Sequence, residues 1–97
     1  MPVFALTYTY TNDTAGRDAY RPKHKELLGG LAEKGILRAS GPFGPEETPG
    51  ALLLVRADSK EEALTLTQQD PFRVNGFVSS VTAQEWIPMT GPLADEF

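Results

Sequence analysis

At 97 residues the chain can hide roughly two thirds of its unfolded surface, which supports one small core and a single domain over residues 1–97. Apolar residues make up 40% of it, as in a globular protein, and 9 Lys plus Arg against 13 Asp plus Glu leave a net charge of −4, with no basic field for the phosphate backbone of a nucleic acid. The absence of cysteine excludes disulfides, thiolate nucleophiles and sulfur-bound zinc, and with no apolar run near the roughly 20 residues of a membrane span and no signal peptide, the expected location is cytoplasmic.

Val3 to Tyr10, rich in β-branched and aromatic residues and closed by Thr11-Asn12-Asp13, is predicted to be a strand. A helix follows, because His24, Leu27, Leu28 and Leu31 recur on one face, and Gly35 ends it with a left-handed cap. Pro22 places the start of that helix near itself, with Arg17 to Tyr20 as a separate turn. Ile36 to Ser40 is a second strand stopped by Gly41-Pro42, and Phe43 to Gly50 is a hairpin loop. Ala51 to Ala57 is a third strand, whose apolar run Leu52-Leu53-Leu54-Val55 suits a central position or cover on both faces. Ser59-Lys60-Glu61-Glu62 is a capping box, so a second helix begins at about Lys60 and stops at Gln69 before Pro71. Phe77 to Ile87 is the last strand, and Pro88 to Phe97 a polar tail beyond a core spanning about 3–87.

The order β-α-β-β-α-β is the ferredoxin-like plan, an α+β fold with a four-stranded antiparallel sheet and helices on one face. Phe4, Leu6, Tyr8, Tyr10, Val78, Val81 and Trp86 supply more apolar strand surface than one face needs, which predicts a homodimer closed over the open sheet face.

Few residues can carry chemistry. His24 is the only histidine, on an apolar stripe, where an imidazole is a satisfied core residue or a general base. With no cysteine beside it, no metal site is expected. Asp70, before Pro71, is a turn residue or the carboxylate that orients His24. Ser40, ahead of Gly41-Pro42, is part of a plain turn or offers its hydroxyl to a ligand oxygen, beside a free Gly41 N–H. Arg17 and Arg21, one helical turn apart, are solvated or grip a carboxylate. No cofactor is expected, since neither Leu28-Gly29-Gly30-Leu31 nor Gly41-Pro42-Phe43-Gly44 has the context of a phosphate-cradling loop.

Arg21-Pro22-Lys23-His24, Gly35, Ser40-Gly41-Pro42, Ser59-Lys60-Glu61-Glu62-Ala63, Asp70-Pro71-Phe72, Gly76 and a closing strand with Trp86 occur in this order between Val3 and about Ile87. In that pattern the sequence resembles the YCII-related (YciI-like) family. The resemblance implies a ferredoxin-like fold that dimerises into an α+β barrel, and an active site in which His24 and Asp70 pair beside Ser40. It further suggests a cofactor-independent lyase or isomerase, one branch of the family being dehydrochlorinase-like, acting on a small anionic or aromatic metabolite. The alternative is a non-catalytic small-ligand binder or accessory dimeric module that uses the same pocket. On the catalytic alternative, neither His24 nor Asp70 holds the core together.

Overall fold

The computed structural model describes residues 1–97. Its elements are β1 (Val3–Tyr10), α1 (Thr14–Glu33), β2 (Leu37–Pro42), β3 (Gly50–Arg56), α2 (Lys60–Thr67), α3 (Pro71–Val74) and β4 (Val78–Trp86), followed by a 3-10 turn at Ala94–Glu96. The four strands form one antiparallel sheet in the order β2-β3-β1-β4, so the ferredoxin-like plan is the fold observed.

Register decides which face each residue serves. On β1, Leu6 lies between Leu53 and Ala83, and Tyr8 between Ala51 and Val81. This row points at the helices, where Phe4, Leu6, Tyr8, Leu53 and Val55 close a core with Leu28, Leu31 and Ala63. The strand residues that suggested a surplus of apolar surface are therefore mostly one set facing one way. The opposite face carries Thr7, Leu52, Leu54 and Thr82, of which Leu52 is 37% exposed. The β3 run reads as unbroken only because apolar residues occupy both of its faces.

Three boundaries differ from the sequence expectation for identifiable reasons. Helix α1 begins at Thr14, because the Asp13 side chain accepts the Gly16 N–H at 2.8 Å and caps it. Pro22 sits inside the helix. It removes one backbone donor, and burial of Leu28 and Leu31 against the sheet offsets that loss. Gly16 is required there: a Cβ would stand 2.5 Å from the Phe77 ring and 2.6 Å from the Asp13 carboxylate.

Strand β2 runs through Gly41-Pro42 instead of stopping before it. The Phe43 N–H donates to the Gly50 carbonyl at 3.0 Å, so two residues back the Gly41 N–H also faces β3 and is not free for a ligand. Pro42 falls at a position facing the open edge, where no N–H is needed.

Helix α2 ends at Thr67, and Asp70 then caps the extra turn α3, which was not predicted. The remaining strand ends agree within a residue or two. The tail is not a free extension. Arg56 donates twice to the Phe97 carbonyl, at 2.8 and 2.7 Å, Arg38 donates to that of Glu96 at 2.6 Å, and the Phe97 ring meets Trp86 edge-on at 5.1 Å. Val3, between Trp86 and Arg56 in register, is 4% exposed although it lies on the face away from the helices.

Candidate active site

Local folding aims three elements at one point. The Asp70 side chain accepts the Phe72 N–H at 3.0 Å as the cap of α3, which pins its carboxylate beneath α1. One turn of α1 presents His24, whose Nδ1 lies 2.7 Å from Asp70 Oδ1. From β1 the Tyr8 hydroxyl donates to Asp70 Oδ2 at 3.0 Å. Asp70 is 0% exposed and meets three partners, which is how a buried carboxylate is tolerated.

These contacts fix the imidazole. A carboxylate only accepts, so the His24 proton belongs on Nδ1, and Nε2 is left without a protein partner. The ring also stacks on Phe72, with centroids 3.9 Å apart and planes 4° from parallel. Phe72 is in turn held edge-on by Tyr10 and Phe77, at 5.7 and 6.2 Å.

His24 opens on a cavity of about 540 Å³, within the usual size range of small-molecule sites. Leu28, Leu37, Leu53 and Phe72 form much of its apolar wall, and Tyr10, Arg21, Lys25 and Ser40 add polar groups. Burial, then the charge of Asp70 and its hydrogen bond, raises the Tyr8 hydroxyl well above the ordinary tyrosine value. Tyr10 is also raised, chiefly by burial and next by the Asp70 charge, with Arg17 and Arg21 opposing. Both phenols therefore remain protonated donors at neutral pH.

Four of the residues singled out in the sequence converge here: His24 and Asp70 in contact, Ser40 and Arg21 on the cavity wall. Arg21 is 41% exposed in its side chain and pairs with Asp18. Arg17 is placed elsewhere. It is 7% exposed, donates to the Thr11 carbonyl and the Thr14 hydroxyl, and lies over the Tyr10 ring at 4.6 Å from its centroid. Its guanidinium is committed to the β1–α1 connection and does not line the cavity. Asp70 is also more than a site residue, since removing a buried carboxylate with three partners strands all three.

Sequence reasoning missed Tyr8, Tyr10 and Phe72 as parts of the site. For the tyrosines a signal existed: Leu6, Tyr8 and Tyr10 share a face, and a buried phenol needs a partner for its hydroxyl. For Phe72 none did, because stacking depends on a ring from α1, far away in sequence. No group of three or more His, Asp or Glu side chains comes together as a metal site would require.

The model of the YCII-related domain matches residues 1–87. No curated protein is similar enough in sequence to count as a match. Among solved structures, the chain is similar to 5-chloro-2-hydroxyhydroquinone dehydrochlorinase from Burkholderia phenoliruptrix, a complex with 2,5-dihydroxybenzoquinone, with a TM-score of 0.72 and 21% identity over 87% of this chain and 92% of that one. It is also similar to an antibiotic biosynthesis monooxygenase, with a TM-score of 0.56 and 11% identity over 89% of this chain and 96% of the other. A Mycobacterium tuberculosis protein matches with a TM-score of 0.52 and 16% identity, over 95% and 99% of the two chains. At these identities the likeness is one of fold.

Proposed function

The chain belongs to the YCII-related family, and on that premise we propose that it is a cofactor-independent small-molecule enzyme of the lyase or isomerase type, with His24 as general base and Asp70 as its partner. The observation that carries this reading is the 2.7 Å contact between His24 Nδ1 and a wholly buried carboxylate, on a ring whose other nitrogen has no protein partner and which borders a cavity. A structural histidine needs no such cavity.

In the proposed reaction Nε2 takes a proton from a carbon beside a carbonyl, and the electron pair moves onto the carbonyl oxygen as an enolate. Asp70 stabilises the imidazolium that results. The hydroxyls of Tyr10 and Ser40, both on the cavity wall, can donate to the new oxyanion. Collapse of the enolate then expels a leaving group such as halide from the adjacent carbon, or the imidazolium returns its proton elsewhere on the enolate. The first outcome is a lyase and the second an isomerase, and neither needs an oxidant. The fold-level likeness to a dehydrochlorinase is compatible with the first.

The proposal includes a homodimer, working in the cytoplasm, whose interface is the sheet face away from the helices. Leu52, 37% exposed, and Leu54 beside it are the apolar residues that support this interface. No helix is long and apolar enough to cross a membrane.

The test is exchange of carbon-bound hydrogen for deuterium, followed by NMR, in a panel of small enolisable ring ketones and keto acids. Wild type is expected to exchange at least one of them, and His24→Ala none. Binding without exchange across the panel would leave a ligand-binding module.

A further inference from the structure

The cavity has a charge pattern opposite to that of the chain around it. The protein carries 13 acidic residues and a net charge of −4, yet no Asp or Glu side chain lines the cavity, whereas Arg21 and Lys25 both do. Asp70 lies behind His24 with 0% exposure and is occupied by three donors. Arg21 and Lys25 are four apart on α1, one helical turn, and so stand side by side on the flank of the helix that also presents His24. They differ in commitment. Arg21 is paired with Asp18, whereas Lys25 makes no ion pair or side-chain hydrogen bond. Lys25 is exposed, which puts its ammonium at the mouth, while the apolar wall of Leu28, Leu37, Leu53 and Phe72 lies within.

We propose that Lys25, assisted by Arg21, forms an anion-binding subsite at the cavity mouth, and that the ligand is a small planar diacid. One acidic oxygen is held at the inner end by the Tyr10 hydroxyl, whose ring packs on the same Phe72 that stacks on His24, and a second acidic group is held at the mouth by Lys25. The apolar wall between the two ends takes the flat carbon frame. A monoacid satisfies one end only, and a neutral ring satisfies neither. The inference rests on the cavity being the ligand site of the proposed function, and it adds a second charge to the ligand and a residue that recognises it.

The test is calorimetric binding of benzoate and of the isomeric benzenedicarboxylates to the whole protein, at low and at raised salt. At least one diacid is expected to bind more tightly than benzoate. Lys25→Ala is expected to weaken that diacid by roughly fivefold, the upper end for an exposed charge pair, and to leave benzoate unchanged. Lys25→Glu weakens it further, and salt narrows the gap between diacid and monoacid. Since Lys25 is exposed, both variants keep the fold, and unchanged melting temperatures verify it. Equal binding of monoacid and diacid, or a Lys25→Glu variant that binds the diacid as wild type does, overturns the subsite and leaves the cavity reading intact. If no acid binds and none perturbs the NMR signals of His24, the cavity reading itself fails and the subsite with it.

Discussion

The imidazole of His24 and the ring of Phe72 lie 3.9 Å apart and within 4° of parallel, while the backbone N–H of Phe72 holds the same carboxylate that binds His24 Nδ1. One residue thus orients the imidazole twice, by its ring and through its main chain. The two roles separate by mutation. Phe72→Leu keeps the N–H on Asp70 and removes the stack, so the imidazole gains rotational freedom while its partner stays in place. The expected result is a folded protein whose exchange rate falls by up to about tenfold, the worth of an aromatic pair. Melting curves beside the rate measurement check it, and a wild-type rate in a folded variant would deny the stack any part in positioning.

Substitutions at Asp70 are expected to grade sharply. In Asp70→Asn the remaining oxygen can still accept from His24 and Phe72, and the Tyr8 hydroxyl can rotate to accept from the new amide. That variant folds, with the carboxylate charge removed and its reaction slowed. Asp70→Ala leaves two buried donors and the imidazole unsatisfied at once, a loss of about 3–5 kcal/mol. His24→Ala is milder, of order 1–2 kcal/mol, because the imidazole borders a cavity and Asp70 keeps two of its partners. Chemical denaturation of the three variants gives the order directly. Equal losses in Asp70→Asn and Asp70→Ala would mean that charge, not hydrogen bonding, is what the site requires.

The proposed dimer gives a third prediction. Leu52 is 37% exposed on the sheet face away from the helices, with Leu54 next to it on the same face. A charge at Leu52 has no access to the core, which lies on the other side of β3. Leu52→Glu is therefore expected to sediment as a folded monomer at micromolar concentration while wild type sediments as a dimer. A wild-type monomer under those conditions would dismiss the sheet-face interface.

What was legible in the sequence follows from how local each feature is. The Ser59 cap is a contact over three residues, and its hydroxyl does accept the Glu62 N–H at 3.1 Å, although the Glu62 side chain makes no return bond to the Ser59 N–H and so completes only half of the capping box. The order of the four strands and the two longer helices follows from periodicity and turn residues, and with it the sheet topology, whereas the short α3 does not. Pro22 misled because its local cost is outweighed by packing of Leu28 and Leu31. Arg17 misled for a similar reason: helical spacing puts it near Arg21, but its guanidinium turns to the Thr11 carbonyl and the face of Tyr10. The pairing of His24 with Asp70, 46 residues apart, was left open by spacing and suggested only by family resemblance. Tyr8 and Asp70 are 62 residues apart, and nothing local to either points to the other.

The Tyr8 contact yields a prediction about alkaline pH whose sign is fixed by its cause. Burial and the adjacent carboxylate both disfavour a phenolate, so in the folded protein Tyr8 holds its proton above the ordinary tyrosine value of about 10. In the unfolded chain it loses that proton at the ordinary value. Between the two the folded state binds more protons than the unfolded state, so stability falls as pH rises. The contribution is complete below about pH 10 and is lost progressively above it. Tyr8→Phe cannot ionise, so its stability is expected to decline less steeply with pH in that range. At neutral pH it is the less stable protein by about 1.5–3 kcal/mol, since a hydrogen bond to a charged acceptor is gone and Asp70 Oδ2 has lost its partner. Tyr10 is raised as well and adds its own slope to both proteins, so the difference between the two curves isolates Tyr8. Denaturant titrations of wild type and Tyr8→Phe, at one protein concentration from neutral pH into the alkaline range, measure it. Curves that converge as pH rises are the expected result, and parallel curves would show that the Tyr8 hydroxyl ionises as freely in the folded protein as in the unfolded chain.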